Sequence, residues 1–177
     1  MTRLPELDDA HDPVLARRIR AERGGKLLSL YRVLMHSPKV AEGWLGYFTV
    51  IRQQCALPDR DRELAILQVA VLNRARYEFD QHVPFVLKAG LTQAQLDLLR
   101  EGRQHEELTA RDRAVLDYAS AMTRDIQVPD AVFAAVRGHL PPDQIVELTA
   151  TVAGYNMVSR FLEALEIHEE TGGTSKT

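Results

Sequence analysis

Apolar residues recur at three- and four-residue spacing along most of the chain, and no stretch alternates apolar and polar residues between turn signals. Three- and four-residue spacing is typical of an amphipathic helix. A half-buried strand would instead show alternating apolar and polar residues, and this chain has no such stretch. The pattern therefore predicts an all-α fold. Helices are predicted over 15–23, 27–37, 40–55, 59–73, 77–90, 92–102, 109–126, 129–140 and 141–170.

Local signals at the helix ends support several of these boundaries. Thr92 and Gln95 have the spacing of a capping box, and Gly90 follows the preceding helix where a left-handed C-terminal residue is common. The helix predicted over 59–73 has acidic residues in its first turn and a continuous apolar stripe, which indicates a central position in the fold.

The length of 177 residues predicts one domain over 1–177, with an N-terminal arm at about 1–12 and a disordered, small and polar tail at about 171–177. The formal net charge of −3 gives no overall basic excess, so we expect no nucleic-acid partner. Four arginines within 15–23 make one helix basic, a pattern more typical of a solvated or subunit-contacting face than of a nucleic-acid patch.

The expected compartment is the cytoplasm. No run approaches the roughly 18 consecutive apolar residues of a membrane span, and the acidic start has no basic stretch followed by an apolar segment. Cys55 is the one cysteine, so neither an internal disulfide nor a thiolate metal cluster can form. We expect a protein that does not associate with a membrane and that needs neither a cofactor nor a metal ion.

Three titratable residues on two successive predicted helices form the candidate chemistry. Glu78 and His82 are four residues apart and share a helix face, and Glu63 lies on the helix before the short link at 73–77. The distance between Glu63 and His82 depends on how the helices cross, which the sequence leaves open. Pro84 removes a backbone hydrogen bond next to His82, so the helix is not regular there.

Each of these residues also has a purely structural interpretation. His82 could be a satisfied core histidine, Glu63 an acid near a helix N-terminus paired with Arg60 or Arg62, and Glu78 half of a surface pair. A metal site is disfavoured because neither the Glu-x-x-His repeat of di-iron bundles nor His-Glu-x-x-His is present.

The run from Ser37 to Thr92 resembles the core of the carboxymuconolactone decarboxylase family. That core has an Arg-Glu-Leu helix, then a Tyr-Glu-aromatic-x-x-His segment and a Gly-Leu-Ser/Thr turn, matched here by RELAILQVAVLN, YEFDQH and GLT. The final helix is also similar to longer members, so the likeness covers most of residues 30–168. It implies the alkylhydroperoxidase D-like all-helical fold.

Related alkylhydroperoxidase D-like proteins carry Cys-x-x-Cys-x-x-x-His together with an upstream glutamate that relays protons. On ARYEFDQH this pattern puts Ala75 and Glu78 at the cysteine positions and His82 on the histidine, while Glu63 matches the relay glutamate. Both redox sulfurs are therefore absent, and an alkylhydroperoxidase-like antioxidant role is the least favoured function.

The resemblance implies a cofactor-free lyase of the decarboxylase type, acting on a small carboxylate-bearing lactone or oxo acid. Glu63, Glu78 and His82 would be catalytic, and Tyr77, Asn156 and Arg160 are the candidate substrate-binding residues. The alternative is a catalytically silent helical oligomer that binds a ligand or serves as a scaffold. Family members associate through helical faces, which implies a trimer or hexamer, or a dimer.

Overall fold

The computed structural model describes residues 2–103 and 106–168, and all regular structure within these ranges is helical. The all-α prediction is confirmed, and no helix in the described part is both long and apolar enough to cross a membrane. The helices are α1 Pro13–Glu22, α2 Ser29–Leu34, α3 Pro38–Gln53, α4 Asp59–Asn73, α5 Arg76–Lys88, α6 Gln93–Arg100, α7 Ala110–Arg124, α8 Asp130–Arg137 and α9 Pro142–Ala164.

The chain divides into two compact units. The terminal unit comprises Met1–Gln54 and Leu162–Thr177, and the central unit comprises Cys55–Phe161. One domain over 1–177 stays a prediction. The arm before α1 contains no regular helix over residues 2–12, and the predicted disordered tail at 171–177 lies outside the described residues.

Arg23 organises the terminal unit. Although it belongs to the basic segment, it is 9 % exposed and donates hydrogen bonds to the Tyr31 hydroxyl (2.9 Å) and the Thr49 hydroxyl (3.1 Å). Burial raises the pKa of Tyr31, so its phenol stays protonated beside the guanidinium. Arg18 and Arg20 are held by acidic partners in the same unit. Acidic partners therefore neutralise two of the four arginines, Arg18 and Arg20, within the terminal unit.

In the central unit, α4 packs against α5, α6 and α7. Its run from Asp61 to Leu67 is buried throughout, which confirms the central position predicted for this helix. A helix that is buried on nearly all sides must satisfy every polar side chain it carries. Arg60, Asp61 and Glu63 have partners on neighbouring helices, whereas Arg62 pairs within α4 itself.

Two reciprocal ion pairs join the first turns of α4 and α7. Arg60 of α4 donates two hydrogen bonds to Asp112 of α7, at 2.8 and 3.0 Å. In the opposite direction Arg111 of α7 donates to Asp61 of α4, its shortest contact being 2.5 Å. Both carboxylates are almost fully buried. Paired Arg–carboxylate forks of this kind fix relative orientation as well as charge.

Most predicted boundaries hold to within a few residues, and the exceptions have local causes. The helix predicted over 27–37 is shorter, since α2 ends at Leu34 and Pro38 starts α3. Thr92 and Gln95 form the predicted capping box. Gly90 adopts a left-handed φ of 92°, as its position after α5 requires. The link between α4 and α5 instead places a non-glycine residue, Arg74, in the left-handed region.

Candidate acid–base site

The structure brings Glu63 and His82 together across the α4–α5 hairpin. His82 Nδ1 lies 2.6 Å from Glu63 Oε2, a distance expected when an imidazole N–H donates to a carboxylate. Both side chains are buried, with Glu63 1 % and His82 6 % exposed. The hairpin that the sequence predicted is therefore tight enough to place a carboxylate–imidazole pair in a largely water-excluded setting.

Glu63 also pairs with Arg62, its neighbour on α4. Arg62 Nε lies 3.3 Å from Glu63 Oε1, and the other end of the guanidinium bonds Asp59 at 2.8 Å. The structural interpretation of Glu63, pairing with a nearby arginine, is therefore correct and coexists with the contact to His82. The two oxygens of the Glu63 carboxylate thus have different partners, a guanidinium on Oε1 and an imidazole on Oε2.

Glu78 is buried, so the surface-pair interpretation of this residue is wrong. It is 2 % exposed, and its Oε2 accepts a hydrogen bond of 2.9 Å from the Ser159 hydroxyl of α9. Ser159 is itself fully buried, and the Tyr155 carbonyl, 3.0 Å from its Oγ, shares the single hydroxyl proton with Glu78. The contact depends on residues 81 positions apart, which the sequence pattern gave no means to pair.

Two aromatic rings enclose the His82 imidazole. The Tyr155 ring stands edge to face with it, at a centroid distance of 5.0 Å and an angle of 85°, and Phe85 of α5 lies 5.8 Å away. Tyr155 is buried, whereas Phe85 is 45 % exposed. Sequence reasoning missed Tyr155 and Ser159. The sequence feature that links them is their spacing of four residues, which puts both on one face of α9.

The predicted substrate-binding residues have different surroundings. Tyr77 is buried on α5. Asn156 accepts a hydrogen bond from Asn73 (3.0 Å) and donates one to Thr123 (2.9 Å), and Arg160 donates to the Asn156 side chain at 2.7 Å. Asn156 and Arg160 thus bond to each other, and their role toward a substrate stays a prediction. Among the described residues, no group of three or more His, Cys, Asp or Glu could hold a metal ion.

A pocket of about 340 Å³ opens at the α4–α5 hairpin, and His82 is not among its lining residues. Arginine and small or aromatic side chains form its walls. We call it the arginine pocket, and it is lined by Ala70, Val71, Arg74, Ala75, Arg76, Phe79 and Arg100.

Cys55 lies just before α4 and is held in its thiol form. Burial and the nearby Glu147 carboxylate raise the pKa of this cysteine. Glu147 is fixed there because it accepts the backbone N–H groups of Ala56 (3.0 Å) and Leu57 (2.6 Å). A thiol with a raised pKa is a poor nucleophile near neutral pH.

A family model matches the part of the chain that contains this site. Residues 38–121 match the model of the carboxymuconolactone decarboxylase family, a segment that contains Glu63, Glu78 and His82. Over these 84 of its 177 residues the chain is similar to the carboxymuconolactone decarboxylase family. No curated protein matches the chain significantly. The family resemblance seen in the sequence is therefore confirmed.

Solved structures share the family fold at low sequence identity. An alkylhydroperoxidase AhpD core protein of Ralstonia eutropha, described as peroxidase-related, superimposes with a TM-score of 0.83 at 18 % identity, covering 97 % of this chain and 93 % of its own. A peroxidase-related protein of Silicibacter sp. gives 0.76 at 18 % identity, with 96 % and 89 % covered. The debrominase Bmp8 gives 0.73 at 16 % identity, with 91 % and 88 % covered. These likenesses show the fold.

Proposed function

We propose that this protein is a cofactor-free lyase that decarboxylates a small carboxylate-bearing lactone or oxo acid, with His82 as its proton donor. The observation that carries the proposal is the buried 2.6 Å contact between His82 Nδ1 and Glu63 Oε2. A carboxylate on Nδ1 fixes the ring orientation and stabilises the imidazolium. It leaves Nε2 as the nitrogen that exchanges a proton with a bound molecule.

The proposed reaction needs one proton donor and no electron acceptor. The bond between the carboxylate carbon and its neighbour breaks, carbon dioxide leaves, and the electron pair stays on the substrate as a dienolate-like carbanion. His82 Nε2–H protonates that carbanion at carbon, and the neutral imidazole then takes a proton from water. General acid catalysis of this kind contributes roughly 10²–10⁴-fold to a rate.

Glu63 and Glu78 have different parts in this proposal. Glu63, which contacts both Arg62 and His82, stabilises the imidazolium that forms in each turnover. Glu78, on the same face of α5 as His82, orients or recharges the imidazole and is itself positioned by Ser159 of α9. In an enclosure of low dielectric these charge contacts are stronger than they would be in water.

A second candidate function is a catalytically silent oligomer that binds a ligand. The observation that favours it is the arginine pocket, which has the size of a small-molecule site but is not lined by His82. In that case the Glu63–His82 pair would hold α4 and α5 together, and its replacement would reduce stability rather than any turnover.

The test is release of carbon dioxide from a panel of unsaturated lactone acids and β-oxo acids. We expect turnover of at least one compound by the wild-type chain and none above background by His82→Gln, which keeps a donor for Glu63. His139→Ala is the matched control, because that histidine is exposed on another part of the central unit. A panel without turnover, combined with a destabilised His82→Gln protein, would favour the silent oligomer.

We expect no thiol-dependent peroxidase activity, because a single protonated cysteine cannot complete a two-cysteine cycle. Consumption of an organic hydroperoxide should be at background level and should not change in Cys55→Ser. Hydroperoxide turnover that disappears in this variant would contradict the expectation.

We also propose that the protein assembles, as a trimer, a hexamer or a dimer. On α9, Val146 is 67 % exposed and Met157 44 % exposed, and three helical turns put them on one side. Sedimentation should give a mass above the 20.0 kDa of one chain. Val146→Glu combined with Met157→Glu should lower that mass, since buried charge opposes association. A single 20 kDa species for the wild-type chain at micromolar concentration would refute assembly.

A further inference from the structure

The arginine pocket lies on a different part of the hairpin from the acid–base pair. Its floor is apolar, formed by Ala70 and Val71 of α4 with Ala75 and Phe79 at the start of α5. Its volume of about 340 Å³ is at the lower end of the range for small-molecule sites. Glu63, Glu78 and His82 are not among its lining residues.

Three arginines line this pocket, and one of them is paired with a carboxylate. Arg100 is paired with Asp80 at 2.8 Å and lies over the Phe79 ring, 4.4 Å from its centroid. Arg74 and Arg76 are exposed, and within the described part of the chain neither side chain forms an ion pair or hydrogen bond. Two positive charges are thus left uncompensated around an apolar floor.

The end of α5 that faces the pocket adds to this potential. Ala75 is the N-terminal capping residue of α5 and makes no side-chain capping bond. The first N–H groups of a helix carry partial positive charge, which favours anions nearby. The helix terminus and the arginines therefore act in the same direction.

Arg74 is held in a backbone conformation that suits glycine. Its φ of 58° and ψ of 27° lie in the left-handed region, which costs an L-residue roughly 1–2 kcal/mol. Glycine is the usual residue at such a helix end. A charged side chain that lines a pocket and costs backbone strain at this position points to a role other than folding.

We propose that the arginine pocket binds a small organic anion that carries two negative charges on a flat apolar body. The guanidinium forks of Arg74 and Arg76 would each take one anionic group, since such forks match carboxylate and phosphate oxygens. The apolar floor and the Arg100–Phe79 stack would receive the body. This site is independent of the proposed decarboxylation at His82.

The probe for this proposal is benzene-1,3-dicarboxylate, titrated calorimetrically into the full chain. Benzene-1,3-dicarboxamide has the same shape without charge and should not bind. We expect Arg76→Gln to weaken dicarboxylate binding at least tenfold, and added sodium chloride to weaken it for the wild-type protein because screening shortens the reach of exposed charges. Arg17→Gln, which removes an exposed arginine in the terminal unit, should bind normally.

Arg74→Gly separates a binding role from a structural one. Glycine relieves the left-handed strain, so the midpoint of thermal unfolding should stay the same or rise while the affinity falls at least tenfold. His82→Ala should keep the affinity, which makes this outcome distinguishable from failure of the proposed reaction. Equal binding of the dicarboxamide, unchanged affinity in Arg74→Gly, or no detectable binding of the dicarboxylate at millimolar concentration would each overturn the proposal.

Discussion

Replacing His82 with alanine should lower kcat/KM for decarboxylation by roughly 10²–10⁴-fold, the range typical of a lost general acid. The loss should fall mainly on kcat, because the proton is transferred only in the chemical step. Helical content and assembly should change little, since Glu63 keeps its contact with Arg62 in the variant.

Glu63→Gln provides the companion measurement. The amide retains the shape of the side chain but cannot be ionised, so it no longer stabilises an imidazolium at 2.6 Å. We expect a partial loss, smaller than that of His82→Ala, and little further loss when both changes are combined, because the two residues act as a unit. Fully additive losses in the double variant would show that they act separately.

Two outcomes would contradict the acid–base assignment. If an active substrate is turned over equally well by His82→Ala, another group donates the proton. If His82→Ala and His82→Gln both unfold while His139→Ala behaves as wild type, the role of His82 is structural. Circular dichroism measured together with the kinetics distinguishes these cases.

Asp112→Asn should lower the free energy of unfolding by about 3–5 kcal/mol, the cost of removing one partner from a buried ion pair. Asp112 is 1 % exposed and holds both the Arg60 guanidinium and the Thr109 N–H. An amide cannot supply the charge that Arg60 requires. Denaturant unfolding measures the loss, and Asp97→Asn, at an exposed position, should stay within about 0.5 kcal/mol of wild type.

The same carboxylate predicts an acid-sensitive component of stability. Burial acts to raise the pKa of Asp112, but hydrogen bonds from Arg60 and Thr109 outweigh it, and the pKa lies below its ordinary 3.8. The unfolded chain therefore binds this proton first as the pH falls. The contribution of the ionised Asp112 to the free energy of unfolding is fully present above about pH 5, and it is lost as the pH falls through the folded-state pKa.

The pH dependence and a mutant cycle together test this pair. Asp112→Asn should flatten the decline in stability below about pH 4, because the titrating group has been removed. Arg60→Gln and Asp112→Asn should not be additive, since they break one contact. An acid limb that is unchanged in Asp112→Asn would show that other carboxylates cause it.

The sequence predicted the helices better than it predicted the contacts between them. Helix periodicity and caps are local, so α4 is found at the predicted residues and the Thr92 box is as expected. Glu78 and His82 could be placed on one face because they belong to one helix. The 2.6 Å approach of Glu63 could not be predicted, since it depends on the crossing of α4 and α5.

Contacts over long sequence separations explain the remaining gaps. Arg60 and Asp112 are 52 residues apart, and Glu78 and Ser159 are 81 residues apart. Each of these polar residues, considered alone, is of a type that is common on exposed helix faces. Only the packing of the central unit makes them buried partners, and the burial of Asp61 and Asp112 follows from that packing.

Helix α9 contacts the segments on both sides of the proton-transfer pair without contributing either member. Glu147 holds the backbone just before α4, and Ser159, about 18 Å further along the same rigid rod, holds Glu78 on α5. The spacing of these two attachments is set by the helical rise, which hardly varies. The positions of Glu63 and His82 relative to each other therefore depend on α9 as well. A shift of α9 along its axis would change the distance between Glu63 Oε2 and His82 Nδ1.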